Sequence, residues 1–217
     1  MRWPSAQAIA ALSPLPAGYR YAPFGRADIA PLMSAVKQWH PGLAAGVNSG
    51  YLREDFYLRR VSLEGDLDRD VIVVRILHGD DLVGFWSYER EVDSLAIWGR
   101  LLVLAPEHRG TGLAIAALEG SEAIGRAMGA AFLYAFAPVS TPRVAQGLER
   151  AGFRLLGFFP GRDREEVAPG VVKRVYQLVY AKLLVAEDQV HWPDQGKMTP
   201  RTQDMYRLLF PERAEPQ

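Results

Sequence analysis

Arg109-Gly110-Thr111-Gly112 stands between an apolar run that ends at Pro106 and a long helical pattern, and residues of these types at a helix start can hold an anion. Unpaired backbone amides there point outward together at the positive end of the helix dipole. That arrangement suits a pyrophosphate. Gly110 and Gly112 admit conformations closed to residues with a Cβ and let a ligand come close, while Arg109 adds a permanent charge and Thr111 a hydroxyl. Leu113 and Ala114 continue the row of amides. A dinucleotide fold fits worse, since it needs Gly-x-Gly-x-x-Gly and a later acidic residue, and the Gly-Lys-Ser/Thr of a Walker loop is absent. Taken alone, the turn also leaves open a simple change of chain direction.

A second group comprises Glu89 and Glu91, which share parity with Ser87 and so face one side of a strand. Either carboxylate can take a proton, directly or through water, if that side lines a pocket. The alternative is a solvated strand face balanced by Arg90 and Arg100. His40, His78, His108 and His191 are scattered without ligand spacing and imply no metal. The absence of cysteine excludes disulfides, cysteine metal sites and a thiolate nucleophile.

Positioning these groups requires a sheet and helices. Val71–Leu77 and Leu82–Val92 read as a hairpin about His78-Gly79-Asp80-Asp81, and Leu95–Leu104 completes an antiparallel meander that delivers the chain to the glycine turn. A helix over Thr111–Met128 places Leu113, Ala117, Ile124 and Met128 on one stripe. Ala131–Ala137 is the next strand. Thr141 then caps a helix with Pro142 at its first position and Gly152 beyond its end. Phe153–Pro160 and Val171–Leu184 are the last strands, joined by a charged loop. Ahead of the meander come a strand at Tyr19–Pro23 and helices over Ala27–Trp39 and Gly50–Arg60; a short helix at Thr202–Phe210 lies near the end.

The 217 residues, 49% hydrophobic, can bury one sizeable core, and a single domain over 1–217 is expected, with an arm at 1–17 and an extension at 186–217. The 25 basic and 25 acidic residues cancel, so no overall field draws nucleic acid or an anionic membrane. With no basic amino terminus before a long apolar run and no 18-residue apolar stretch, a cytoplasmic protein with no membrane partner is expected. A homodimer is left open.

The motif Arg109-x-x-Gly112-x-Ala114, after Pro106-Glu107-His108 and ahead of Ala151-Gly152-Phe153, resembles the Gcn5-related N-acetyltransferase (GNAT) family. The resemblance runs from Val71 to Leu184 and is firmest between Leu101 and Phe153. It implies an α/β (α+β) fold with a mixed, mostly antiparallel sheet of about seven strands flanked by helices and splayed between the fourth and fifth strands. It further implies transfer of an acetyl group from acetyl-CoA, as cosubstrate and without metal, to a primary amine that attacks directly in a ternary complex. Backbone amides of Arg109–Ala114 would bind the pyrophosphate, and Leu102, Val103 and Leu104 would pair with pantetheine as with an added strand. The Leu104 amide would face the thioester carbonyl, and Arg143 or Arg150 would meet the 3′-phosphate.

The sequence departs from that pattern where the family's asparagine and tyrosine are replaced by Thr141 and Leu148. Without the tyrosine, Tyr134, Ser140, Tyr176 or Tyr180 is left as the acid that protonates the thiolate, and Glu89 or Glu91 as the base. Trp98 and Arg100 stand where some members carry a carboxylate. Trp39, Tyr51, Phe56, Tyr57, Trp86, Tyr88 and Trp98 are read as an aromatic acceptor pocket or as core. Two further readings keep the fold: a catalytically silent acyl-CoA sensor or assembly module, and a transferase using a longer acyl-CoA or a carrier-protein donor, for which Ala135 and Ala137 leave room.

Overall fold

The β-branched run from Val71 forms β3 (Val71–His78) in a computed structural model that describes residues 1–66 and 68–213. Before it come α1 (Ala6–Leu12), β1 (Tyr19–Ala22), α2 (Ile29–Trp39), α3 (Glu54–Arg60) and β2 (Val61–Ser62). After it come β4 (Asp81–Glu91), β5 (Ala96–Leu104), α4 (Leu113–Ala127), β6 (Phe132–Pro138), α5 (Pro142–Arg150), β7 (Arg154–Ala168), β8 (Val171–Leu183) and α6 (Pro200–Leu209). The eight strands form one sheet in the order β1-β3-β4-β5-β6-β8-β7, with β2 also beside β3.

Strand alternation sends side chains into two cores. On one face Ile97, Leu133 and Ala135 pack with Leu113, Ala117 and Ile124 of α4 and Leu148 of α5. On the other, Val71, Val73, Phe85 and Val103 meet Leu32 and Val36 of α2 and Tyr57 of α3. Among the described residues no helix is long and apolar enough to cross a membrane.

The β5–β6 pair creates the site. Its parallel pairing runs only from Ala96↔Phe132 to Gly99↔Ala135, after which both strands continue without each other. At that point the β4–β5 register steps from Tyr88↔Gly99 to Ser87↔Leu101, leaving Arg100 as an extra residue. A bulge bends its strand and increases the twist, so β5 leaves β6 where Arg100 is inserted. The expected sheet and splay are present; the two-residue β2 brings the count to eight, so the expected fourth and fifth strands are β5 and β6.

Two segments differ from expectation. The arm at 1–17 contains α1, capped by Ser5; Ser13 Oγ donates to Ala116 O at 3.1 Å and sits where a Cβ on Gly120 of α4 would lie. The charged loop after Pro160 is strand, because Asp163–Ala168 pairs with Val171–Val175 and lengthens both β7 and β8. The cause is a register shift between Phe159↔Gln177 and Asp163↔Val175, which loops out Pro160, Gly161 and Arg162. Strand signals on either side of a Pro-Gly pair read as two elements when the pair sits in a bulge.

Candidate active site

Gly110 and Gly112 have φ of 81° and 88°, so each occupies the left-handed region that side chains disfavour. Gly112 is the N-cap of α4 and makes no side-chain cap, which leaves the first-turn amides from Leu113 and Ala114 without side-chain acceptors. A Cβ on Gly110 would meet nothing within 4 Å, so its outer side is open. The side chains of this turn are engaged elsewhere. Arg109 donates to Leu104 O at 3.2 Å and to Trp39 O at 3.0 Å, and Thr111 Oγ1 donates to His108 O at 2.8 Å. The outward-facing groups of the turn are therefore backbone.

Beyond Gly99, β5 has β4 on one side only. Ala105 N donates to Val83 O at 2.9 Å, so by alternation the backbone groups of Leu104 and Leu102 face away from β4, toward the splay. Val103 is buried against the α2 side, while Leu102 and Leu104 pack toward α4. Ala135 and Ala137 also point into the α4 core, away from the opposite face.

Glu89 and Glu91 lie with Ser87 on the α2 side, and each is occupied. Ser87 is buried, donating to Ile72 O at 2.7 Å and accepting from Tyr51 at 2.5 Å. Glu89 is gripped by Arg60 at 2.5 Å through one oxygen and by Arg100 through the other. Glu91, at the exposed end of the strand, accepts from Tyr134 and from Ser94 Oγ at 3.2 Å. Burial, then the hydrogen bond and charge of Glu91, push the Tyr134 phenol well above its usual range, so it keeps its proton.

The remaining expected residues divide between surface and core. Ser140, Thr141 and Arg143 are exposed at the β6–α5 turn; Thr141 occupies the N-cap, but its hydroxyl makes no capping bond. Arg143 lies one turn before Gly147, which packs on Ile115 and Leu118 of α4. Arg150 is exposed at the far end of α5. Leu148 is 1% exposed in the α4 core. Tyr180 is buried there too and donates to Glu149 at 2.7 Å; its phenol is raised to about 12 by burial and that carboxylate. Tyr176 is exposed. The aromatic cluster splits: Trp86 and Tyr88 face the α4 core, Tyr51 and Tyr57 are fully buried, and Trp98 lies on the α2-side face beside Tyr134 and Phe136.

The sequence reading missed three side chains that shape this face. Arg162, carried by the β7 bulge, lies 3.7 Å from the centroid of Phe136 and 5.0 Å from that of Trp98. Asp163 accepts from Val47 N at 2.8 Å and docks the β7–β8 hairpin on the loop after α2. Gly46 permits that approach, since a Cβ there would lie 2.2 Å from Arg164 O. Asn48 Nδ2 donates to Arg100 O at 3.2 Å, leaving Asn48 Oδ1 and Arg100 Nε buried without partners. The only sequence signal was Pro160-Gly161, two residues that break strands, directly before Arg162. Among the described residues no three histidines or carboxylates gather as a metal site.

No family model matches this sequence, and no curated protein matches it. Solved structures do. A point variant of the spermidine N-acetyltransferase SpeG from Vibrio cholerae aligns with TM-score 0.59 at 14% identity, over 78% of this chain and 95% of its own. A ribosomal-protein alanine acetyltransferase from Vibrio fischeri gives 0.61 at 13%, over 82% and 98%. RimL, a ribosomal α-N-protein acetyltransferase in complex with coenzyme A, gives 0.62 at 13%, over 79% and 97%. The chain therefore has the GNAT fold.

Proposed function

We propose that this protein is an acyl-CoA-dependent N-acyltransferase, with acetyl-CoA as donor and a primary amine as acceptor. The observation that carries the reading is one piece of backbone: β5 parts from β6 at Gly99↔Ala135, runs on with no strand on that edge, only the Leu104 carbonyl being taken by Arg109, and enters an uncapped helix start through two left-handed glycines. A free strand edge suits an amide-bearing chain, and an uncapped helix start suits its phosphates. Three of the aligned structures were solved with acetyl-CoA or coenzyme A.

In this reading the amides from Gly110 to Ala114 hold the pyrophosphate, with Arg143 on hand for a further phosphate, while Arg109 shapes the turn. The acceptor reaches the splay from the side of Trp98 and Tyr134. Its neutral nitrogen attacks the thioester carbon, and a β5 amide that faces the splay donates to the oxygen on which charge develops. The ammonium proton passes through water to Glu91, whose carboxylate is oriented by Tyr134. Glu89 holds Arg100 and takes no proton. The thiolate leaves and is protonated by solvent, since neither Leu148 nor the exposed Ser140 supplies a placed acid.

Buried Leu148 also favours a second reading, a CoA-binding module without turnover. Titration with acetyl-CoA beside a thiol-release assay on an amine panel separates the two. Binding with CoA release establishes the transferase, binding with no release for any amine favours the module, and no binding removes both.

A further inference from the structure

The β7 bulge places a guanidinium over the α2-side face with almost none of its donors used. Arg162 lies flat enough against Phe136 for its central carbon to sit 3.7 Å from the ring centroid. Stacking occupies the face of a guanidinium and leaves its in-plane N–H groups available. One is bonded, to Gln177 Oε1 at 3.3 Å. Among the described residues no carboxylate lies within salt-bridge distance of Arg162, although the group is half-buried. Burial lowers its pKa from the ordinary value, the direction expected of a cation short of a counter-ion.

The carboxylates beside the rings are bonded within the face, whereas Glu165, two residues beyond Asp163 on β7, has no bonded partner among the described residues. Glu89 is held by Arg60 and Arg100, Glu91 by Tyr134, and Asp163 by the amides of Val47 and Arg164. Arg100, its side chain 7% exposed, adds a second cation stacked 4.3 Å from the centroid of Trp98. A polyamine entering this face would meet Arg162 and Arg100, with Glu91 as the one carboxylate beside the rings that no cation holds among the described residues. An anion would find a fork of donors held ready by two aromatic rings. Trp98 and Phe136 flank the Gly99↔Ala135 pair at which the strands part, so the group bound by Arg162 would lie close to the splay.

We propose that Arg162 is the acceptor-binding residue and that the acceptor is a small amine carrying a carboxylate, gripped by the guanidinium edge while its amine reaches the splay. This inference rests on the acyl-transfer reading above. A planar carboxylate matches the fork of an arginine through two parallel hydrogen bonds.

The test compares free amino acids with their C-terminal amides, spermidine and phosphoethanolamine in the thiol-release assay, and titrates the same compounds into the CoA-saturated full-length protein. The free acids are expected to be preferred over the amides by at least 10-fold in KM. Arg162→Gln should raise KM for the acids by about 10- to 100-fold, the value of a hydrogen-bonded charge pair, and leave KM for the amides and the affinity for acetyl-CoA unchanged. Arg162→Lys, which keeps the charge without the fork, should fall between. Equal use of acids and amides overturns the proposal. So do preference for spermidine or phosphoethanolamine, failure of every acid to bind or react, and an equal effect of Arg162→Gln on acids and amides. If acetyl-CoA itself does not bind, the acyl-transfer reading falls and takes this one with it. Acetyl-CoA binding without acid selectivity sinks this one alone.

Discussion

Where α4 begins, the groups facing outward are backbone amides aimed by two left-handed glycines; on the β5–β6 face they are side chains bonded to one another. The first region is set mainly by local chain geometry, with one distant tie from Arg109 to Trp39 O. The second exists because bulges in β5 and β7 throw Arg100 and Arg162 onto a common face, where Trp98 lies under both. Substitutions should therefore act differently in the two regions: at the two glycines they act mainly on affinity, and on the face they loosen a network.

The largest effect is expected on the face. Glu89→Ala leaves Arg100 buried without its carboxylate, and breaking such a pair costs about 3 kcal/mol. For a chain of this size that lowers the melting temperature by roughly 6–12 °C, readable by calorimetry. An unchanged melting temperature would show that Glu89 is not the tie that holds this face. At the turn, Gly112→Asp combines a strained left-handed side chain with a carboxylate at the amides, and affinity for acetyl-CoA should fall roughly 100-fold by titration. Wild-type affinity in this variant would remove α4 as the phosphate site. Glu91→Gln should lower kcat by roughly 100-fold with CoA affinity intact; an unchanged kcat would clear Glu91 of the proton.

A smaller effect separates two views of Arg109. If its charge meets phosphate, Arg109→Met should weaken acetyl-CoA as much as Gly112→Asp does. Its guanidinium instead spans Leu104 O and Trp39 O, so the expected loss is about 1 kcal/mol of stability and less than 10-fold in affinity. Denaturant unfolding and titration on the same preparation read both numbers.

This contrast also explains how far the sequence could be read. The β3–β4–β5 meander, the Leu113–Ile124 stripe and the glycine turn followed from periodicity and backbone chemistry, which are local. The parity of Glu89 and Glu91 was legible for the same reason. What Glu89 and Glu91 touch was not, because Arg60, Arg100 and Tyr134 reach them through pairings between distant segments. Arg162 was hidden in an apparent loop, since a three-residue bulge looks like a break when only the sequence is seen. Trp86 and Tyr88 were grouped with Trp98 by residue type, although strand parity sends them to the opposite core.

Tyr134 gives the finest test of the comparison, because the two roles open to it differ in sign. As an acid for the leaving thiolate it would have to give up its proton near neutral pH. Its partial burial and the carboxylate of Glu91 act the other way, holding the phenol protonated beyond its ordinary value of 10. A group whose pKa lies above the pH range studied does not titrate within it, so Tyr134 should contribute no inflection between pH 6 and 10. Tyr134→Phe then removes one orienting hydrogen bond from Glu91, and the expected loss in kcat is less than about 10-fold, with the alkaline limb of the rate profile unmoved. If the variant instead loses an alkaline inflection that the parent shows below pH 10, Tyr134 gives up its proton during turnover, and the face is working chemistry rather than a scaffold for Glu91.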